Sequence, residues 1–264
     1  MEQERLARIS DRILSDLRAA VTELVITEEE LHNAARFLNR LGQANEFADL
    51  LDIFLATTSV VATVGAAGGT TPNLAGPYYK PGAPVREDGD LREQLLGDGE
   101  IGLSVRGRVT DARTGEPVRD AVLDVWQADG HGVYDEVGYH LRGVVPVDSD
   151  GRYAFDTVFP EGYEIPAKGP TTELLDAIGQ QNWRPAHIHL RVHVGDTTPL
   201  QTQFFLAGVD FLDCDPVDAV RSDLVIDHHD AGDGSREAEF DIRLALDGPL
   251  PPRMVAGGPK VGAD

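Results

Sequence analysis

Ala186-His187-Ile188-His189-Leu190-Arg191-Val192-His193-Val194 alternates apolar and polar side chains without interruption. Successive side chains of a β-strand point to opposite faces, so this stretch places Ile188, Leu190, Val192 and Val194 on one side and His187, His189, Arg191 and His193 on the other. The first is a core face; the second can carry chemistry. At a rise of about 3.3 Å per residue, His187 and His189 lie roughly 6–7 Å apart along the strand, a spacing from which two imidazoles converge on one metal ion. His193 lies about 13 Å from His189 on the same scale, outside that reach. The pair alone does not choose a metal, because a His-x-His strand occurs in zinc enzymes, in cupin-like barrels and on plain solvated sheet faces.

Outward from this strand the period of two recurs. Ile101, Leu103, Val105 and Val109 alternate with polar or glycine positions, and further strands are expected over Ala121–Ala128, Val144–Val147, Tyr153–Val158, Leu200–Leu206 and Glu237–Leu246. Asp148-Ser149-Asp150-Gly151 reads as a hairpin-type turn, with Gly151 free to take positive φ. Short strands separated by turns, with no long helices between them, imply an antiparallel β-sandwich or barrel, of which the sandwich is the expected form.

Before these strands the pattern is helical. Leu6, Ile9, Ile13, Leu17, Val21 and Leu24 recur every three or four residues across Glu4–Val25. Thr27 with Glu30 forms a capping-box pattern ahead of Leu31, Ala34, Phe37, Leu38 and Leu41, and a third apolar segment covers Phe47–Val64. The fold class is therefore mainly β, an antiparallel sandwich with an N-terminal α-helical segment. The chain divides into a helical segment at 1–64, an irregular linker rich in glycine and proline at 65–100, a β-sandwich at 101–250 and a C-terminal tail at 251–264.

With 264 residues the chain can bury a sizeable core. Its 45 acidic and 23 basic residues leave a net charge of −22, a surface that repels nucleic acid and anionic membrane. The single cysteine, Cys214, excludes an internal disulfide and a thiolate-rich metal site, and no run of about 18 apolar residues reads as a membrane span. A cytoplasmic location is expected.

Further metal ligands must come from outside the His strand. Tyr134, in Asp129-Gly130-His131-Gly132-Val133-Tyr134, and Tyr163, in Pro160-Glu161-Gly162-Tyr163-Glu164-Ile165-Pro166, each sit in a glycine-containing loop near the end of a strand, where function concentrates on a rigid scaffold. A lone loop tyrosine is more often a surface ring with its hydroxyl in water; two of them beside His-x-His shift that balance.

Six blocks then point the same way: Gly76-Pro77-Tyr78-Tyr79, Val125-Trp126-Gln127-Ala128-Asp129, Gly132-Val133-Tyr134, Tyr163-Glu164-Ile165-Pro166 with Gly169-Pro170-Thr171, Trp183 to His189, and Thr202-Gln203. In order and spacing they resemble the intradiol ring-cleaving dioxygenases, in the catechol and chlorocatechol 1,2-dioxygenase branch. The likeness covers nearly the whole chain and is strongest from Leu74 to about Ile226.

The resemblance implies one non-haem Fe(III) per subunit, held by Tyr134, Tyr163, His187 and His189. Phenolates suit a trivalent ion, since a bound cation favours the ionised phenol despite its ordinary pKa near 10. It further implies dioxygen-dependent cleavage of a catechol between its two hydroxylated carbons, giving a cis,cis-muconate, with Tyr163 leaving the metal to take a substrate proton. Arg184 matches an arginine beside the bound ring, where a guanidinium faces developing negative charge, and Gln203 a glutamine that orients substrate. Leu74, Pro77 and Tyr78 match positions lining the ring pocket, with Tyr78 standing where leucine or phenylalanine is common. The helical segment would join two subunits into a homodimer, with a lipid-like molecule in the apolar channel between them.

Other residues read more plainly. His131, His228 and His229 sit in polar or glycine-rich surroundings and are expected to be solvated, Tyr79 and Tyr153 to be packing residues, and no base stands near Cys214 to activate it. A chlorocatechol or hydroxyquinol substrate is the alternative within the class. Outside it, Val105-Arg106-Gly107-Arg108-Val109, Gly115-Glu116-Pro117-Val118, Ala121-Val122 and Val125 also resemble transthyretin-like binding sandwiches, and a His-x-His zinc hydrolase would want a carboxylate base in place of paired phenols.

Overall fold

The computed structural model describes residues 2–64, 68–165 and 168–246; the expected tail at 251–264 and the ends of the adjoining segments at 65–67 and 247–250 lie outside them. The described residues form two compact units, one of 2–50 with 168–174 and one of the other described residues.

In the first unit, α1 runs over Glu2–Glu23 and α2 over Glu28–Gln43. The capping box forms as read: Thr27 Oγ1 accepts from the Glu30 amide at 3.3 Å while the Thr27 amide donates to Glu30 Oε2 at 2.7 Å, satisfying two of the first-turn donors. Leu41 is fully buried, whereas Leu6, Ile9, Ile13 and Leu17 of the α1 stripe stay exposed. The third helical segment is not uniform. α3 (Phe47–Leu51) gives way to a π-helical turn at Asp52–Ala56 before α4 (Thr57–Val64), and the π-turn and α4 belong to the second unit.

The second unit holds the strands β1 (Gly102–Asp111), β2 (Ala121–Gln127), β3 (Arg142–Pro146), β4 (Arg152–Val158), β5 (Tyr163–Glu164), β6 (Trp183–Arg184), β7 (His187–Val194), β8 (Thr197–Leu206), β9 (Val225–Ile226), β10 (His228–Asp230), β11 (Arg236–Glu239) and β12 (Ile242–Leu244); helix α5 (Pro170–Ala177), between β5 and β6 in the chain, has residues 170–174 in the first unit. One five-stranded sheet has the order β10-β11-β1-β12 with β4 also on β1; the other has the order β3-β2-β7-β8-β9; β5 and β6 form a separate ribbon. Apolar side chains from both sheets meet in one core, where Leu103, Val105 and Phe155 join Leu123, Val125, Ile188, Leu190 and Val192. Phe204 of β8 stacks on Phe240 with ring centres 4.8 Å apart.

The expected antiparallel sandwich is corrected in one respect: the sheets are mixed. β1 runs parallel to β11 and β12, and β8 runs parallel to β9. Each parallel pair joins segments distant in sequence, as a parallel connection requires, and side-chain alternation carries no information about strand direction. The strand expected at Glu237–Leu246 is broken between β11 and β12. There the Phe240 carbonyl lies so close to Gly107 that a Cβ on Gly107 would sit 2.0 Å from it, and Asp241 Oδ1 takes the Arg108 amide at 2.9 Å.

Turn chemistry at Asp148–Gly151 is as read, with Asp148 Oδ1 accepting from the Asp150 and Arg152 amides and Gly151 at φ 78°. The strands it joins are nevertheless not a hairpin: β3 pairs with β2 and β4 with β1, so the turn carries the chain from one sheet to the other. The linker is also more than a spacer. From Gly68 onward it is irregular, yet Asn73, Leu74 and Leu91 are buried against the sheets.

Candidate metal centre

The register of the second sheet assembles the polar face. On β7, His189 stands opposite Trp126 of β2 on one side and Gln203 of β8 on the other, while His187 stands opposite Phe205. Cross-strand neighbours share a face, and the Trp126 indole lies parallel to the His189 ring, 4.9 Å between centres at 3°. Tyr163 rides on the β5–β6 ribbon, paired with Arg184, just before the chain enters β7.

Two glycines let the tyrosine loops close on this face. A Cβ at Gly132, whose φ is 77°, would lie 2.6 Å from the Gly162 carbonyl, and one at Gly162 would lie 2.7 Å from the Arg184 carbonyl. Only a residue without a side chain permits either approach.

The result is a compact polar cluster. His187 Nε2 and His189 Nε2 are 3.0 Å apart, the Tyr134 hydroxyl is 3.4 Å from His187 Nε2, and the Tyr134 and Tyr163 rings meet edge to face at 5.5 Å. Arg184 Nη1 lies 3.2 Å from His187 Nε2 and 3.5 Å from the Tyr163 hydroxyl. His187 Nδ1 is 2.7 Å from the Pro185 carbonyl, which can only accept, so the ring proton is on Nδ1 and Nε2 presents a lone pair. His189 Nδ1 is buried without a hydrogen bond of normal geometry, with the Leu74 backbone beside it.

Burial, then the Arg184 charge, holds His187 well below the ordinary imidazole pKa; burial, then His187 and Arg184, does the same for His189. Burial, then the neighbouring Tyr163, pushes the Tyr134 phenol well up. Neutral imidazoles are the form that binds metal, and a cation at the centre reverses the penalty on the phenolate. Two Nε2 atoms facing one another at 3.0 Å with phenol oxygens at their side fit a hard metal ion with a mixed N/O donor set. Among the described residues no group of three or more His, Cys, Asp or Glu side chains has metal-binding geometry, and the oxygen donors beside the two imidazoles are the phenols.

The structure thus brings together Tyr134, Tyr163, His187, His189, Arg184 and Gln203. Of the three pocket residues, Leu74 is buried, Tyr78 stacks on Tyr134 with centres 4.3 Å apart, and Pro77 is exposed. His193 turns away to Thr198 Oγ1 at 2.9 Å. His131 is exposed, and so is His229, 3.4 Å from Glu237. His228 corrects its expected solvation: Nε2 meets the Ala207 carbonyl at 3.1 Å, the ring packs edge-on to Phe159, and Nδ1 is buried without a partner. The polar residues around it in sequence point elsewhere once β10 pairs with β11. Tyr153 is buried and also donates to the Phe240 carbonyl; Tyr79 donates to Asp124 and lies under the Arg191 guanidinium at 3.6 Å. Cys214 is exposed; slight burial and Asp213 push its thiol up, away from reactivity.

Several contributors were not legible in sequence. Asp215 forms an ion pair with Arg184 at 3.1 Å, and Asn73 holds Gln203 at 3.0 Å. Arg142 donates to the Tyr78 carbonyl at 2.7 Å and the Asp135 carbonyl at 3.1 Å, tying the Tyr78 segment to the Tyr134 loop. Trp126 lies in the Val125–Asp129 block, but its stacking depends on β2–β7 register.

Comparison with known proteins agrees with this architecture. Residues 74–247 match the family described as Dioxygenase, and residues 3–67 match the Catechol dioxygenase N terminus. The chain is 38% identical over 229 residues to a chlorocatechol 1,2-dioxygenase of Pseudomonas sp. (strain P51), covering 84% of this chain and 90% of that protein. It is 36% identical over 238 residues to catechol 1,2-dioxygenase 1 of Acinetobacter lwoffii, covering 84% and 75% respectively. The crystal structure of chlorocatechol 1,2-dioxygenase from Pseudomonas putida superposes with a TM-score of 0.84 at 32% identity, over 91% of this chain and 98% of that one. The chain belongs to the intradiol ring-cleavage dioxygenases, in their catechol and chlorocatechol branch. It is an enzyme of the dioxygenase class, and its family uses non-haem iron and catechol-type substrates with dioxygen.

Proposed function

We propose that this protein cleaves catechol to cis,cis-muconate at one Fe(III) per subunit, held by Tyr134, Tyr163, His187 and His189. The observation that carries the reading is the convergence of two imidazole Nε2 atoms, 3.0 Å apart, with two phenols from separate loops. Ferric iron, when bound, would supply the Lewis acidity that draws both substrate oxygens into the ionised state and commits the ring to reaction with dioxygen.

The protein's own part follows from the geometry. The Pro185 carbonyl fixes the His187 tautomer, and Trp126 fixes the plane of the His189 ring. Tyr134 is buried against Tyr78 and is the fixed phenol; Tyr163, half-buried on its ribbon, is the one able to move and take a substrate proton at its hydroxyl. Arg184 is held from behind by Asp215 and Gln203, leaving Nη1 directed at the cluster, where it favours negative charge on the substrate. Leu74 and Tyr78 bound the ring site, with Pro77 at its outer side.

A chlorinated or hydroxylated ring is the alternative substrate, supported by the relative at 38% identity that is named for chlorocatechol. The exposed α1 stripe of Leu6, Ile9, Ile13 and Leu17 supports a homodimer through the helical segment, with a lipid-like molecule as a further occupant of that apolar surface. Among the described residues no helix is long and apolar enough to cross a membrane, and we place the protein in the cytoplasm. Neither a transthyretin-like binding module nor a zinc hydrolase accounts for the paired phenols; the carboxylate a hydrolase would need as base, Asp215, is engaged by Arg184.

The test is the purified protein itself. Iron-loaded protein should be red from phenolate-to-Fe(III) charge transfer and consume oxygen with catechol. Colourless protein that gains neither colour nor oxygen uptake on ferric loading would refute the reading. Comparison of catechol, chlorocatechols, methylcatechols and hydroxyquinol as substrates then decides ring preference.

A further inference from the structure

Behind the cluster the buried polar groups close on themselves. Ala219 contributes both ends: its carbonyl accepts from Asn73 Nδ2 at 2.7 Å and its amide donates to Asp215 Oδ2 at 3.1 Å. Between those ends, Gln203 Nε2 donates to Asn73 Oδ1 at 3.0 Å, Arg184 Nη2 donates to Gln203 Oε1 at 3.2 Å, and Arg184 donates to both oxygens of Asp215. Every member is buried, so water cannot substitute for a missing partner without a cavity.

The direction of this ring is fixed by chemistry. A side-chain amide can be turned either way, and its partners decide which. Here a backbone carbonyl can only accept, so Asn73 must present Nδ2 to Ala219 and Oδ1 to Gln203. Gln203 must then present Nε2 to Asn73 and Oε1 to Arg184. A guanidinium has no acceptor, so only this orientation gives Arg184 Nη2 a second acceptor, Gln203 Oε1, beside Asp215 Oδ2. The same Asn73 Oδ1 also accepts the Leu74 amide at 2.8 Å, which ties the start of the ring-pocket segment to the network.

We infer that Asn73 is a positioning residue for the reaction: it sets the orientation of the Gln203 amide and, through it, aims Arg184 Nη1 at the metal cluster. The catalytic meaning of this inference rests on the dioxygenase reading above; the hydrogen-bond ring itself does not. With Asn73 replaced by the similarly sized Leu, Gln203 loses the acceptor that fixes its amide, and the Arg184 fork loses one of its two rear supports.

Two measurements test it. In metal-free protein labelled with ¹⁵N on glutamine side chains, the Gln203 amide pair, assigned by its disappearance in Gln203→Leu, should be protected from solvent exchange, and Asn73→Leu should abolish that protection. In iron-loaded protein, Asn73→Leu should lower kcat about 10–100-fold, the range typical of groups that orient a metal site from behind, with KM and the visible colour little changed. Added to Gln203→Leu, it should lower kcat no further, because both act through one pathway. An unprotected Gln203 amide in the wild type, or kcat losses that multiply in full in the double variant, would overturn the inference. The wild-type exchange measurement needs no Asn73 variant to fold. Absence of colour and oxygen uptake in loaded wild type would sink the dioxygenase reading alone, while the amide measurement still decides the ring.

Discussion

The two faces of β7 are almost equally buried and entirely different in what buries them. Ile188, Leu190 and Val192 enter the core shared by both sheets, while His187 and His189 lie under two tyrosine loops. On the apolar face, burial is its own stabilisation, each side chain contributing about 1.5–3 kcal/mol. On the polar face burial costs free energy, and the offset comes from hydrogen bonds, ring stacking and, in the proposed function, a metal ion. One strand thus separates stability from chemistry by a single residue of register.

That comparison breaks most sharply at the metal face. His187→Ala should abolish the red colour and lower catechol-dependent oxygen uptake by more than about a hundredfold, exceeding the range for groups behind a metal site. Circular dichroism should still show a folded sheet. Retained iron and activity would remove His187 from the ligand set.

Breaking the support behind that face is the next largest effect. Arg184 and Asp215 are only 4% and 1% exposed, so Asp215→Asn leaves a buried guanidinium without its counter-charge. Loss of one partner of such a pair costs about 3–5 kcal/mol. Chemical denaturation should show that loss together with a fall in kcat; unchanged stability would mean that water reaches Arg184.

The apolar face should answer in a different currency of measurement. Leu190→Ala should cost about 2–5 kcal/mol of unfolding free energy, through lost burial and the cavity left behind. Iron content and kcat per folded molecule should stay near wild type. A selective loss of iron with unchanged stability would show that the faces are coupled through the strand and not insulated by it.

How much of this contrast the sequence discloses depends on the distance over which the cause acts. The alternation in Ala186–Val194, the α1 stripe and the Thr27 cap are local, and each appears where it was read. Tyr134 and Tyr163 needed the ordered blocks of a known family, since nothing local distinguishes a ligand from a surface phenol. Asn73, Asp215 and Ala219 escaped altogether: they come from the linker and from the irregular stretch after β8, and they acquire a role only when those segments meet Gln203 and Arg184. The parallel pairing of β1 with β11 and β12 escaped for the same reason, as did the burial of His228. Local turn chemistry at Asp148–Gly151 was legible, but which sheet each flanking strand joins was not.

His193 gives the finest division of the polar face and the smallest expected effect. It shares the side of β7 with His187 and His189, yet it stands opposite Val122 and its Nδ1 meets Thr198 Oγ1 at 2.9 Å. Burial, then the Arg191 charge, holds its imidazole below the ordinary pKa, so its work is done as a neutral hydrogen-bonding group. Glutamine can make the same contact to a hydroxyl without a charge. His193→Gln should therefore change stability by no more than about 0.5 kcal/mol, as for a site outside core, cap and metal cluster. Iron content and the charge-transfer band should be unaltered. A bleached or iron-poor variant would extend the metal site along the strand beyond His189 and erase the boundary within that face.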